Sequence, residues 1–550
     1  MNANKRQFGA GKTVQNNSSA TCDLSSTKLR QIFTKLFNDK IMGTSGGENG
    51  ELKKSFCYLL FCRKFDFGGA LVKAFVAGAL MFSVSSCAVF APDIRDDLNA
   101  DLPEQFTLYS AEGADSTNRW WESFQSVELN ALVEEVLTGS PTIQQAWARL
   151  AQAEAVAKKA GASRWPSLSA TGEGKATRNS VDYTNVESYS LGLTASYELD
   201  LWGRIQSQTA AAALDREVSR ESLNTAAITL ASQTALRWSG IVSQQLQTEL
   251  IRKQLAANKT SLELVELRFR KSQATALDVY QQRQAVANTE ARIPLAELRE
   301  QLLRNELAAL LGRADFQSLE ISAEKLPSIG KLPTIGIPAD VLANRPDVRQ
   351  AGLKLRSADW SVSAARADRL PAISLKASGE YANAEISDLF NDWYANLLGS
   401  ITGPIFEGGR RKAEVTRTRA VVDERLAAYR ETVLNAMKEV EDALVSEQKQ
   451  QDYLVALDRN VELSRHSYDE ALNRYRNGLS QYLPVLVELV SLQSLERDRV
   501  AAQYDLLQTR INLYRALGGS WTDELNSAER QKCDRQMLDE QDPRLSTQDL

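Results

Sequence analysis

Histidine is almost absent from this chain of 550 residues: His466 is the only one, and it lies among polar helical residues. Metal sites built on paired or triple histidines are thereby excluded. Cysteine is scarce where the fold must be. Cys22, Cys57, Cys62 and Cys87 fall early and only Cys533 lies in the main body, so no internal disulfide frames it. Positive charge is not in excess, the formal net charge being -5, which argues against a polyanion surface and a nucleic-acid partner. Long hydrophobic runs are missing too. The one strongly apolar segment, Ala74 to Val84, falls well short of the roughly 20 residues a membrane-spanning helix needs. Nor is there a phosphate loop, a nucleophile elbow or a cysteine–histidine pair. Glu439, Glu441 and Asp442 cluster, but clustered acids on a long helix read as a solvated face. Catalysis is rejected, and no cofactor or metal site is expected.

The short apolar segment fits a signal-peptide core, with Arg63, Lys64 and Lys73 as its positive flank. It ends in Val84-Ser85-Ser86-Cys87, similar to a bacterial lipobox. The small residues let a peptidase approach the backbone, and the cysteine thiol takes diacylglycerol before cleavage. Cys87 is therefore expected to carry the S-diacylglycerol and N-acyl groups, with 63–86 as the lipoprotein signal peptide. Ala88, rather than aspartate, follows it; in the resembling bacterial system this implies sorting to the outer membrane. A leader of this length far exceeds the usual 15–30 or so residues. Polar residues 1–62 are accordingly read as an N-terminal extension or the product of a start codon placed too early.

What is present is a repeat. Ser140-Pro141-Thr142-Ile143 matches Arg345-Pro346-Asp347-Val348, and Pro166-Ser167-Leu168-Ser169 matches Pro371-Ala372-Ile373-Ser374, both at a shift of 205. Gly203-Arg204 matches Gly409-Arg410, Arg268-Phe269-Arg270 matches Arg474-Tyr475-Arg476, and Leu311-Gly312 matches Leu517-Gly518, all at 206. The chain divides into a first copy, 87–345, a second, 346–521, and a polar tail, 522–550. The first copy holds strands at about 167–202, long helices at about 204–311 and a Pro/Gly-rich segment at 313–345. The second holds strands at about 372–406 and long helices at about 410–517.

Pro141 and Pro346 open helices at the first turn, where their missing N–H costs nothing. Pro166 and Pro371 stop those helices and begin strands. From Ser188 to Leu199 the residues Tyr189, Leu191, Leu193, Ala195, Tyr197 and Leu199 alternate strictly with polar or small ones. Ile373, Leu375, Ala377 and Tyr381 do the same, and Trp393, Ala395, Leu397, Ile401 and Ile405 continue the pattern. About ten alternating residues suit a transmembrane barrel strand, and Tyr183, Tyr189, Tyr197, Trp202, Trp393 and Tyr394 suit an interfacial girdle. Four strands cannot close a barrel, which needs about eight, and lipid does not tolerate an open edge; several chains must pool their strands. The runs 204–271 and 410–476 lack proline and turn clusters, predicting helices on the order of 100 Å long in coiled-coil association. Each turns and returns, to Leu311 and to Leu517. Pro294 is expected to kink the first return helix, and the second is expected to start at Pro484.

Tyr197-Glu198-Leu199-Asp200-Leu201-Trp202-Gly203-Arg204, Asn344-Arg345-Pro346-Asp347-Val348, Pro404-Ile405-Phe406-Glu407-Gly408-Gly409-Arg410 and Leu517-Gly518-Gly519-Ser520-Trp521 together resemble the outer-membrane efflux protein family. They look most like its lipoprotein branch, the NodT-type, TolC-like outer-membrane factors of tripartite drug pumps. The resemblance covers about 87–521. It implies an α+β membrane protein: a homotrimer with a twelve-stranded transmembrane β-barrel, four strands per chain, continuing into a long periplasmic α-helical coiled-coil barrel. It also implies a periplasmic adaptor protein and an inner-membrane pump, usually of the resistance-nodulation-division class. Lipidated Cys87 would add a second attachment to outer-membrane lipids. Gly203, Gly408 and Gly409 would turn the chain from strand to helix. Arg204, Arg410 and Arg411 would lie near the inner interface or in plain solvent.

In the resembling family the turns near Ser272–Leu277 and Gly478–Leu486 form the closed periplasmic end. A leucine and an aspartate one turn apart narrow the pore there. Leu483 matches the leucine; the aspartate position holds Val487, with Glu488 beside it. An apolar constriction that gates by dewetting is one reading. Glu488 and Asp278 either face the lumen or lie on a solvated outer helix face. The function implied is a passive exit duct for drugs or other small toxic compounds. A type I protein-secretion channel is the alternative, and a pore-less periplasmic coiled-coil scaffold a third reading that the alternating strands disfavour.

Overall fold

The computed structural model describes residues 92, 106, 119–178, 185–316, 318–333, 338–519, 521, 522 and 525. The extension 1–62, the signal peptide 63–86, Cys87, Tyr183 and nearly all of the tail 522–550 lie outside them.

A 3-10 turn, Trp120–Phe124, leads into α1 (Val127–Gly139) and α2 (Pro141–Ala162). Strands β1 (Ser167–Arg178) and β2 (Asn185–Leu199) follow, then α3 (Arg204–Arg270) and α4 (Ala276–Leu311). After a linker come α5 (Pro338–Asn344), α6 (Pro346–Ala367), β3 (Ala372–Asn383), β4 (Trp393–Thr402), α7 (Arg410–Arg476) and α8 (Tyr482–Leu517). The repeat is visible in the lengths. α2 and α6 have 22 residues each, β1 and β3 have 12, α3 and α7 have 67, and α4 and α8 have 36.

Local chemistry sets the boundaries. Ser140 accepts from the Thr142 N–H and Pro141 occupies the first turn of α2. Thr275 and Asp278 form a reciprocal capping box at the start of α4. Gly312 ends α4 with φ +76°, a left-handed conformation that a side chain disfavours. The long helices pack in antiparallel pairs, α3 with α4 and α7 with α8, while α6 lies against both α3 and α7. That packing, more than propensity, holds helices this long.

The main core surrounds the middle of α3. Leu223, Ala227, Ala231, Trp238 and Ile241 meet Leu307 and Leu311 of α4, Leu507 and Ile511 of α8, and Val133 and Val136 of α1. Aromatic rings fasten the start of the described chain to its end. Trp120 stacks on Tyr514 at 5.3 Å, and Trp121 meets Trp521 edge-on at 4.9 Å. Glu128 ties three segments, accepting from Trp238 Nε1 at 2.8 Å and from the Ser322 N–H at 2.8 Å.

Three expectations are corrected. The last strand stops at Thr402, since Gly403 and Pro404 follow and proline cannot donate to a ladder; Ile405 and Phe406 lie beyond it, exposed. The linker expected to be irregular contains α5. α8 begins at Tyr482 rather than Pro484, which fits inside the first turn where no N–H bond is lost. α4 continues across Pro294, which does not end the helix. The 3-10 turn and α1 were not anticipated; α5 stands before Pro346 as the second half of α1 stands before Pro141.

Candidate functional site

The strands form one sheet in the order β1-β2-β3-β4, antiparallel throughout. Its register sorts the side chains. Leu168 pairs with Ala195, Ala170 with Leu193 and Gly172 with Leu191; Leu193 pairs with Gly379, Ala195 with Ala377 and Tyr197 with Leu375. Ile373 pairs with Ile401, Ala377 with Leu397 and Tyr381 with Trp393. One face of all four strands is therefore apolar or small. The opposite face carries Ser169, Thr171, Glu173 and Lys175, then Ser196, Thr194 and Ser190, then Ser374, Lys376, Ser378 and Glu380. On the apolar face Leu397 is 82% exposed and Ile401 72% in the single chain. Among the described residues β1 and β4 are edges without a further strand neighbour.

The strand-to-helix junctions are fixed by their own motifs. Gly203 has φ +73° immediately before α3. Arg204 Nη2 donates to both Glu198 oxygens at 2.7 and 2.8 Å. Asp200 accepts from the Gln206 N–H at 2.7 Å, which satisfies an unpaired donor of the helix start, and Trp202 Nε1 donates to the Pro371 carbonyl at 2.7 Å, joining the first hairpin to the second. At the other junction Gly408 and Gly409 have φ +59° and +84°, and Glu407 accepts from Arg410 at 3.1 Å and Arg411 at 3.0 Å.

At the far end, the two helical turns meet. Arg268 of α3 donates from Nη1 to the Tyr475 carbonyl at 2.7 Å and from Nη2 to the Arg476 carbonyl at 2.8 Å, and its guanidinium lies 4.4 Å from the centre of the Tyr475 ring. It thus caps the C-terminal end of α7, where a cation complements the helix dipole. Behind it lie an apolar cluster, Val265, Val279, Tyr475, Tyr482 and Val485, and a polar layer. Tyr482 donates to Gln282 Oε1 at 2.5 Å, and Gln282 Nε2 donates to the Asn258 carbonyl at 2.8 Å. Asn258 Nδ2 donates to Thr289 Oγ1 at 2.9 Å, and Gln493 Nε2 donates to Asn258 Oδ1 at 2.9 Å. Burial pushes the Tyr482 phenol above its usual range, with Tyr468, Tyr475 and Asp278 adding to the rise.

Of the gate candidates, Leu483 and Val487 lie one turn apart on α8, 49% and 55% exposed in the single chain. Glu488 is half-buried. The Asp278 carboxylate is engaged, accepting from the Thr275 N–H at 2.8 Å and hydroxyl at 2.9 Å. The Arg268 cap and the Asn258 network escaped the sequence reading; the only signal was the recurrence of Arg268-Phe269-Arg270 at Arg474-Tyr475-Arg476. Among the described residues there is no cluster of His, Cys, Asp and Glu able to hold a metal, and no helix is long and apolar enough to cross a membrane.

The model of the outer membrane efflux protein family matches residues 132–313 and 337–519, one match to each copy. The pyoverdine export outer membrane protein OpmQ of Pseudomonas aeruginosa is 32% identical over 439 residues, 77% of this chain and 92% of that protein. The cation efflux system protein CusC of Escherichia coli is 28% identical over 451 residues, 80% of this chain and 97% of that protein. The solved structure of the outer-membrane channel OprN matches with a TM-score of 0.73 at 28% identity, covering 78% of this chain and 99% of that one. With a sheet of sorted faces, two long helical hairpins and a family match on both halves, the chain belongs to the outer membrane efflux protein family.

Proposed function

We propose that three copies of this chain pool their strands into a twelve-stranded barrel across the outer membrane, and that their helices continue it as a periplasmic duct. The observation that carries this is the register of the sheet. An apolar face, a polar face bearing Glu173, Lys175, Lys376 and Glu380, and two unpaired edges suit a wall with lipid outside and water inside. Such a sheet is complete only when the edges β1 and β4 of different copies pair.

The duct serves as the outer-membrane exit of a tripartite efflux pump, with a periplasmic adaptor and an inner-membrane pump of the resistance-nodulation-division class as partners. Relatives named for pyoverdine, cations, antibiotics and toluene support small molecules as cargo, chosen by the pump. Acylation at Cys87 adds an anchor in the same membrane. Leu483 and Val487 of each copy form an apolar constriction at the periplasmic end.

The test is a deletion strain challenged with a panel of antibiotics, solvents and metal ions, with outer-membrane fractions probed for the protein. Greater sensitivity, restored by the wild-type gene, together with an oligomer in that fraction, is the expected result. Unchanged sensitivity to the whole panel, or protein found only in the soluble periplasm, would sink the assignment.

A further inference from the structure

The two helical hairpins are related by 206 residues from end to end: α3 and α4 start at Arg204 and Ala276, α7 and α8 at Arg410 and Tyr482. Every position at a contact between the first copy and the second therefore has a counterpart position for a contact running from the second copy onward. The counterpart of Arg268 is Arg474, that of Tyr475 is Phe269, and that of Arg476 is Arg270. Within the chain Arg268 is satisfied and Tyr475 is buried, 3% exposed. Their counterparts are not. Arg474 is exposed, and its guanidinium makes no hydrogen bond or ion pair among the described residues. Phe269 is 47% exposed, and no turn or cap hydrogen bond reaches the Arg270 carbonyl among the described residues. Among the described residues the chain thus presents a guanidinium without acceptors at the end of α7 and, at the end of α3, a carbonyl that no turn or cap bond reaches.

We propose that Arg474 caps the C-terminal end of α3 of a neighbouring copy, donating to the carbonyls of its Phe269 and Arg270 and lying over its Phe269 ring. The occupant of this surface is a second copy of the same chain, and charge complementarity selects it: a guanidinium meets the negative end of a helix dipole and an aromatic face. Repetition of one head-to-tail contact closes a ring, so this inference rests on the ring of copies proposed above. The two joints are not equal. Ala276 stands at the counterpart of Tyr482, and Glu488 at that of Gln282, so the joint between copies lacks the phenol-to-amide bond that reinforces the joint within a chain. The ring is held more weakly between copies than inside them, and Glu488 lies at that weaker joint rather than free in the lumen.

The test uses full-length protein in detergent with Cys22→Ser, Cys57→Ser, Cys62→Ser, Cys87→Ser and Cys533→Ser, so that introduced cysteines are its only thiols. Arg474→Cys is combined with Arg270→Cys, and a short bis-maleimide is added. Covalent oligomers on a denaturing gel, absent from either single-cysteine variant, are the expected result. The control pair Arg268→Cys with Arg476→Cys should link within one chain and leave its mass unchanged. Native mass is measured on the same samples. An oligomer that yields no interchain product overturns the Arg474 cap alone. A monomer overturns both the cap and the ring on which it rests.

Discussion

Arg510 of α8 and Glu447 of α7 face each other with only 2% and 1% of their side chains exposed, Arg510 Nε lying 2.9 Å from Glu447 Oε2. Arg510 also donates to the carbonyls of Lys331 at 3.0 Å and Gly330 at 3.2 Å. The pair therefore pins the linker between the two copies onto both helices of the second hairpin. Removing one partner of such a pair strands a buried charge and costs about 3–5 kcal/mol, whereas replacing both with apolar groups of similar volume is often neutral. Glu447→Ala is expected to lower the thermal unfolding midpoint strongly. The double variant Glu447→Leu with Arg510→Met is expected to recover much of the loss. Equal loss in the two variants would contradict a pairing role.

Gly192 sits where the sheet is tightest. A Cβ there would lie 2.8 Å from Glu380 Cβ and 3.2 Å from the Gly379 carbonyl, atoms with little freedom to move. At Gly399 the nearest atom is Leu375 Cδ2 at 3.7 Å, an ordinary contact. Gly192→Ala is expected to destabilise the sheet by about 1–3 kcal/mol through overpacking and to reduce the yield of assembled protein in the outer membrane. Gly399→Ala should assemble as wild type does.

Asn258 is the hub of the polar layer behind the turns, 1% exposed and bonded to Thr289 and Gln493. Asn258→Ala leaves the Gln493 amide buried and unpaired, Thr289 keeping its bond to the Ala285 carbonyl, at a cost of about 1–3 kcal/mol. Faster hydrogen exchange is expected at amides of α4 and α8 near the turns, with α2 and α6 unchanged. A uniform change along the chain would argue for global rather than local loosening.

The Tyr482 phenol is raised by burial, so the folded state holds its proton more tightly than the unfolded state. This group leaves stability flat below about pH 10, the unperturbed tyrosine value. Above that, stability falls as the unfolded chain ionises first, until the folded phenol also titrates. Burial also raises Tyr468 and Tyr504; Tyr482→Phe is therefore expected to shallow the alkaline decline in unfolding midpoint without abolishing it. An identical slope in the variant would show that Tyr482 stays protonated in both states or is exposed.

Much of this architecture is legible in sequence because it is punctuated and doubled. Pro141 and Pro346 mark the same helix start, Gly312 and Gly518 the same helix end, and alternation at 189–199 gives a strand with faces. The strand beyond Thr402 was read too far because Ile405 keeps the alternation while Pro404 breaks the ladder. The contacts at the turns were illegible for another reason. Arg268 and Tyr475 are 207 residues apart in sequence, and periodicity shows which stripe of a helix is apolar, not how two helices are rotated against each other. Asp278 illustrates the same limit: as a residue it was a free acid near a turn, and in the fold it is a cap on Thr275.

The matching lengths of the arms, 67 residues in α3 and α7 and 36 in α4 and α8, constrain how this gene can vary. One residue added to a single arm would advance everything beyond it by 1.5 Å and turn it by about 100°, swinging Arg268 away from the end of α7. Each half is the ruler against which the other is cut. Length changes confined to one arm should be rejected, while changes made in step in both halves, or at the outer loop between β3 and β4, are admissible. The helical part can grow or shrink only as a pair.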